Sequence, residues 1–298
     1  MSKRAGKNRL REAAAGYGFM SPAILILGCF LLLPILYAVF LSVHKVNLLG
    51  EVSYKFTGTA NFERMIDDKR LWIALRNTAR YALIVVPSQT ILALVLASIL
   101  NMKIRFRNFF RVAYYLPTVT SSAVLVLIFM WIYNTNGLLN FLLEKVGLPT
   151  YNWLGDPSVA LAGIMIMNIW STAPLFMVIY LAALQDIPQS QYEAAEIDGA
   201  GVWQKFWRIT VPQLKPVTFY VVVMGIIGTF QLFDQSYIFS AGSGGPNNAT
   251  LTMVLLIYQY AFKNLDMGYA SALAFMLAVV IMIITVIQRF FFREEKLN

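Results

Sequence analysis

Apolar residues in this chain come in long unbroken runs rather than in alternation. Six runs approach or exceed the length needed to cross a hydrocarbon layer near 30 Å thick, about 20 residues at about 1.5 Å each. They cover residues 21–43, 81–100, 112–133, 159–184, 216–239 and 270–292. Backbone groups in lipid must pair within their own segment, so each run predicts an α-helix. Barrel strands would alternate apolar and polar positions, and these runs do not. Ser21 and Pro22 read as the N-cap and first helical residue of the first span, and Pro34 predicts a kink within it. The run 250–262 is too short to span. It follows the Gly- and Asn-rich segment 242–248 and predicts an interfacial or re-entrant helix on the outer side.

Composition agrees with an all-α integral membrane protein of six transmembrane helices. Apolar residues are 58% of the 298 and charged residues 13%, where a soluble domain carries roughly 25%. Such a chain could not cover its surface with polar groups, and the excess must face lipid. The net charge of +9 does not indicate nucleic acid, because the cations sit in short stretches flanking the apolar runs. With the N-terminus inside, 15 of the 24 Lys and Arg fall in inner segments, which favours cytoplasmic tails at 1–20 and 293–298. Seven of the rest crowd the first outer loop, 44–80, and weaken that bias. The basic N-terminus followed by an apolar run has the outline of a signal peptide. Its 24 charge-free residues, Met20 to Val43, exceed a signal-peptide core and predict a retained span. Cys29, the single cysteine, reads as packing, and His44 as an interfacial residue. Tyr114, Tyr115, Trp131 and Tyr133 fit an aromatic belt.

The loop 185–215 carries the most specific signal. Ser190 and Glu193 have capping-box spacing and predict a short helix running to Asp198. Gly199 and Gly201 break it, and a second helix is expected from Val202 towards Val211. Trp203, Phe206 and Trp207 share one face of that helix. Glu193-Ala194-Ala195, then Gly199, Ile209 and Pro212, resembles the EAA loop of ABC importer permeases, with Val211 where Leu is usual. The stretches 184–188 and 192–200 resemble the carbohydrate-uptake branch, to which MalF-type subunits belong, and 56–62, 244–246, 257–262 and 267–272 resemble other parts of that family. The resemblance implies a permease fold (MetI-like) whose loop is a coupling helix docking on a cytoplasmic ATPase through Glu193, Ala194, Ala195, Asp198 and Gly199. It further implies a second, homologous permease chain, an ABC ATPase dimer that binds ATP and Mg, an extracytoplasmic solute-binding protein, and a bacterial or archaeal plasma membrane. No cofactor is expected in this chain.

Polar residues inside spans are the remaining signal. Thr118, Ser121 and Ser122 share helical spacing in the third span. Asn168, Ser171 and Thr172 do so in the fourth beside Trp170, and Gln231, Asp234 and Gln235 in the fifth near Tyr237. Ser and Thr in membrane helices commonly bond their own backbone or permit close packing. The amides, Trp170, Tyr237 and Asp234 are the candidates for a solute path, since intramembrane carboxylates are costly and usually functional. Walls of amide, hydroxyl and aromatic groups suit a neutral sugar. A permease for another solute, such as glycerol phosphate, is the alternative within the same superfamily. An ion-driven transporter would show midplane ionisable residues, and one His with one Cys cannot build the usual metal sites or catalytic dyads. The Gly-rich segment 242–246 lacks the Lys-Ser/Thr of a nucleotide loop.

Overall fold

The computed structural model describes residues 2–48, 51–102 and 105–291; the tail 293–298 and the last residue of the sixth predicted span lie outside them. In chain order the helices are α1 (Ser2–Leu27), α2 (Leu33–Ser42), α3 (Ala60–Asp67), α4 (Lys69–Asn101), α5 (Arg107–Val119), α6 (Ser122–Ile132), α7 (Leu138–Lys145) and α8 (Ala160–Asp186). There follow α9 (Gln189–Ile197), α10 (Val202–Lys205), α11 (Val211–Gln213), α12 (Lys215–Phe230), α13 (Asp234–Phe239), α14 (Met253–Tyr258) and α15 (Met267–Phe291). Five segments are individually long and apolar enough to span: 15–42, 69–101, 160–186, 215–239 and 267–290. The pair α5 and α6 is bent by 99°.

The chain divides into two compact units. The first comprises residues 1–67 and 260–275. Contrary to expectation, Ser21 is no cap: helix α1 begins far upstream, and the Ser21 hydroxyl donates to the Gly18 carbonyl at 2.8 Å. A π-helical turn, Gly28–Leu32, joins α1 to α2 just before Pro34. Proline has no N–H for the carbonyl four residues back, here Phe30, and widening the turn accommodates that loss. An antiparallel hairpin, β1 (His44–Asn47) and β2 (Ser53–Phe56), pairs His44 with Phe56. Asn61 Nδ2 donates to the carbonyls of Ser42 (2.8 Å) and His44 (3.1 Å). Arg64 pairs with Asp266 at 2.6 Å and lies 4.0 Å over the Tyr269 ring. Gly268 sits where a Cβ would come within 2.1 Å of the His44 carbonyl oxygen, so only glycine fits this approach.

The second unit comprises residues 68–259 and 276–298. Asp68 caps α4 by accepting from the Arg70 and Leu71 amides. That helix starts 12 residues before the predicted Tyr81, because its first turns are amphipathic rather than uniformly apolar. Two clusters order the bundle. In one, Tyr81 and Val85 pack with Leu161 and Ile164; in the other, Ala93, Ala97 and Leu100 pack with Ala173, Met177 and Leu184. Rising numbers meet rising numbers, so α4 and α8 run parallel and bring Asn101 and Asp186 to the same end. The chain between them must therefore return once, and the bent pair makes that return as the sixth span. Leu214 and Val221 belong to the second cluster and Leu232 to the first, so α12 runs the opposite way.

The third predicted span, 112–133, is thus not one straight helix. Pro117 lies in its last upstream turn, and Thr118 and Thr120 donate back to the Tyr115 and Leu116 carbonyls. Thr120 is extended. The break separates Thr118 from Ser122, which do not share a helical face. Beyond α6, the Tyr133 hydroxyl donates to the Gly163 carbonyl at 2.9 Å. The buried Asn140 side chain bonds Thr135, Tyr151 and Trp153 and organises the loop 134–158. The short run at 250–262 is helical as α14 and a π-helical turn, Gln259–Lys263. Thr252 caps it, and Asn77 of α4 anchors the preceding loop through the Asn248 and Leu251 carbonyls.

Candidate functional site

Two places in the second unit carry the residues singled out from the sequence. The first is the loop between α8 and α12, at the end where Asn101 and Asp186 lie. Helix α9 begins at Gln189 after the N-cap Pro188, and no side chain caps it. Ser190 is therefore inside the helix and the expected capping box is not formed. Pro188 closes the helix start instead, with its fixed φ and without a donor to satisfy. Gly199 ends α9 with φ +75°, a conformation that disfavours any Cβ. The Ala200 amide returns to the Ala195 carbonyl at 2.8 Å, closing the corner. Gly201 then leads into α10, a π-helical turn at Phe206–Thr210, and α11. Pro212 does not terminate this stretch. The wide turn contains Arg208, whose carbonyl Pro212 cannot serve, which is the arrangement seen before Pro34.

Side chains lock the two arms of this elbow. Lys205 Nζ pairs with Glu196 at 2.5 Å, Tyr192 and Thr210 share a hydroxyl bond at 2.8 Å, and Gln213 donates to Gln191 at 2.5 Å. Glu193, Ala194, Asp198 and Gly199 are exposed and Ala195 half-buried. All five fall within α9 and the corner that ends it, with small side chains beside two carboxylates, a shape that admits another backbone closely and offers charge-assisted bonds. Trp203 and Trp207 are 76% and 61% exposed, with Phe206 packed edge-on between them. An uncovered aromatic face of this kind suits contact with a membrane surface or with a partner.

The second place is a cavity of about 480 Å³ between α4, α8 and α12–α13. Gln89, Asn168, Thr172, Gln231, Asp234 and Gln235 supply its polar wall, and Tyr220 and Phe233 its aromatic one. Four of the sequence candidates therefore meet here: Asn168, Gln231, Asp234 and Gln235. Trp170 does not line the cavity and instead packs on Phe129, ring centres 5.5 Å apart. Tyr237 stands behind Phe233 in an aromatic cluster with Tyr258. The fifth span is interrupted at 231–233 between α12 and α13, so Gln231 and Asp234 reach the cavity from either side of a break rather than along one face. Both are exposed, which leaves the cavity open on that side.

Gln89 was not among the sequence candidates, although an amide alone in an apolar run is itself the signal. It is 2% exposed, and burying an unpaired amide costs several kcal/mol. Thr172 serves the amide oxygen by donating to Gln89 Oε1 at 2.7 Å, sharing its one hydroxyl proton with the Asn168 carbonyl. Gly225 opposite makes room: a Cβ there would stand 2.6 Å from Gln89 Nε2. Ser171 bonds only its own helix, through the Asn168 carbonyl. Among the described residues no cluster of three or more His, Cys, Asp or Glu could hold a metal ion.

Residues 89–296 match the family model of the binding-protein-dependent transport system inner membrane component. The chain is 36% identical over 285 residues to the lactose transport system permease protein LacF of Rhizobium radiobacter, covering 94% of this chain and 95% of that one. It is 32% identical over 286 residues to the trehalose/maltose transport system permease protein MalF of Thermococcus litoralis, covering 94% of each. A chain in the crystal structure of a bacterial alginate ABC transporter, in complex with an alginate pentasaccharide-bound periplasmic protein, superposes with a TM-score of 0.82. That chain is 21% identical, and the match covers 96% of both.

Proposed function

This chain belongs to the family of inner membrane components of binding-protein-dependent transport systems, and we propose that it forms one half of the membrane passage of an ATP-driven importer for a sugar or glycoside. The observation that carries the reading is the cavity. Its wall holds amides, hydroxyls and aromatic rings with a single carboxylate, a set that matches the hydroxyls and apolar faces of a carbohydrate. A solute surrounded on all sides needs a second wall where Gln231 and Asp234 stand open, and a homologous permease chain supplies it.

In this reading the elbow at 187–214 is the handle for an ATPase subunit, with Glu193, Ala194, Ala195, Asp198 and Gly199 at the contact. ATP and Mg are bound by the ATPase pair. Closure of that pair pulls on the elbow and shifts the passage between inward-open and outward-open states, and a solute-binding protein delivers the cargo on the opposite face. The elbow end is then cytoplasmic, together with both chain termini. The lactose and trehalose/maltose systems named among the relatives support a sugar as cargo.

The test is solute-stimulated ATP hydrolysis by the assembled complex in proteoliposomes. Ala194→Lys puts a long cation at the tip and is expected to abolish stimulation while membrane insertion stays normal. Alanine at Gln231, Asp234 and Gln235 together is expected to raise the solute concentration needed for half-maximal stimulation. Stimulation that survives both changes, or uptake driven by membrane potential without ATP, would overturn the proposal.

A further inference from the structure

The start of the bent span holds a basic, apolar surface that the transport reading does not use. Helix α5 carries Phe109, Val112, Leu116 and Val119 along one stripe, all more than 60% exposed. Between this stripe and Val178 of α8 runs a groove of about 330 Å³, lined otherwise by Arg111 and Tyr115. The groove is almost wholly apolar apart from the Arg111 guanidinium. One turn before Arg111 stands Arg107, whose Nε and Nη2 are buried without a hydrogen-bond partner. Arg105 lies over the Phe106 ring at 5.1 Å. Among the described residues none of these three cations forms an ion pair. Asn101 immediately precedes this segment, so the cations lie at the end of the unit that holds the elbow.

Unmatched cations beside an apolar groove between two membrane helices ask for a ligand with an anionic head and a hydrocarbon tail. We propose that this groove is a site for an anionic phospholipid of the adjoining leaflet. An acyl chain lies along Val112, Leu116, Val119 and Val178, and the phosphate meets Arg111, with the charge of Arg107 one turn behind it. Juxtamembrane cations attract anionic headgroups, and basic pockets between spanning helices hold them. A neutral lipid would fill the groove but leave the guanidinium charges unanswered, and a soluble anion would answer the charges but leave the groove uncovered. The break at Thr120-Ser121 gives the site a consequence. A lipid held between α5 and α8 braces the half of the bent span that lies before the 99° turn.

The site is independent of the identity of the solute. It is tested on the complete assembled complex in nanodiscs of phosphatidylcholine mixed with phosphatidylglycerol, with retained lipid read by native mass spectrometry. Phosphatidylglycerol is expected to be retained in preference to phosphatidylcholine, and Arg111→Gln and Arg107→Gln are each expected to lower that preference about fivefold. Arg111→Lys should keep most of it. Val119→Trp, which fills the groove and leaves both cations, should lower retention as well. A photoreactive side chain at Leu116 should capture lipid. Equal retention in wild type and in Arg111→Gln/Arg107→Gln would overturn the proposal. So would full displacement of the lipid by inorganic phosphate, or capture of the second permease chain from Leu116.

Discussion

Gly225→Ala isolates the contact that shapes the cavity wall. The added methyl would stand 2.6 Å from Gln89 Nε2 and 3.4 Å from Val86 Cγ1. Comfortable contact needs about 3.5 Å, so the amide must retreat by roughly 0.9 Å on the same scale. It has little room, being buried and held at its oxygen by Thr172 at 2.7 Å. Overpacking of this kind costs about 1–3 kcal/mol, and loss of the Thr172 bond adds about 1 kcal/mol. Alanine returns about 1 kcal/mol through its better helix propensity. The balance is a net destabilisation of about 1–3 kcal/mol. Thermal unfolding of the complex in detergent would show it as a lower midpoint, and solute-stimulated ATP hydrolysis as a weaker apparent affinity. The decisive comparison is a double-mutant cycle. Gln89→Ala removes the amide that the methyl strikes, so Gly225→Ala/Gln89→Ala is expected to lose less than the two single changes added together. Strict additivity, or a Gly225→Ala protein indistinguishable from wild type in both assays, would refute the contact.

Three further outcomes follow from contacts elsewhere. Gly268→Ala forces a methyl against the His44 carbonyl, and since backbone must move, a loss of about 2–3 kcal/mol is expected in thermal unfolding of the purified chain. Arg64→Gln removes a partly exposed ion pair and the stacking on Tyr269; each contributes about 0.5–1 kcal/mol, so faster proteolysis of the segment around 60–67 is expected, with a midpoint only slightly lower. Asn140→Ala strips several bonds from a buried amide and leaves the Trp153 indole N–H and the Tyr151 amide without their acceptor. A cost of about 2–4 kcal/mol is expected, read as protease sensitivity in the loop 134–158.

The positions of the helices were legible because lipid imposes one rule, an apolar run of sufficient length, on every span. The six apolar runs answer to it, and the run at 250–262, too short to span, is also helical. What the runs could not show is where a helix ends in water or breaks in lipid. Helix α1 extends upstream of Ser21, and α4 upstream of Tyr81, because helical geometry does not stop at the edge of the hydrocarbon. The break at Thr120-Ser121 falls in a short polar stretch, Thr118 to Ser122, just after Pro117. Ser and Thr sit as readily inside a continuous membrane helix, and Pro174 inside the unbroken α8 shows how little a proline alone says. The hairpin 44–56 lies in a loop whose composition is mixed, and its register answers to pairing rather than to any apolar face. At the cavity, Asn168, Gln231, Asp234 and Gln235 stood out as polar groups in spans. Gln89 belongs with them on the same grounds, whereas Trp170 and Tyr237 share with them only proximity along the chain, and helical geometry carries both rings to other neighbours.

The two sides of the cavity differ in what it would take to deform them. The wall made by Gln89, Asn168 and Thr172 is cross-linked between continuous helices, and small residues such as Ala93, Ala97 and Ala173 bring those helices close together beneath it. Shearing it means breaking the Gln89–Thr172 bond and unseating tight packing at once. Across the gap, residues 231–233 already interrupt the helical ladder, so a hinge there sacrifices little that is not already forgone. Any reshaping that empties or fills the space therefore falls on the discontinuous strut, and the fused pair acts as the anvil against which it moves.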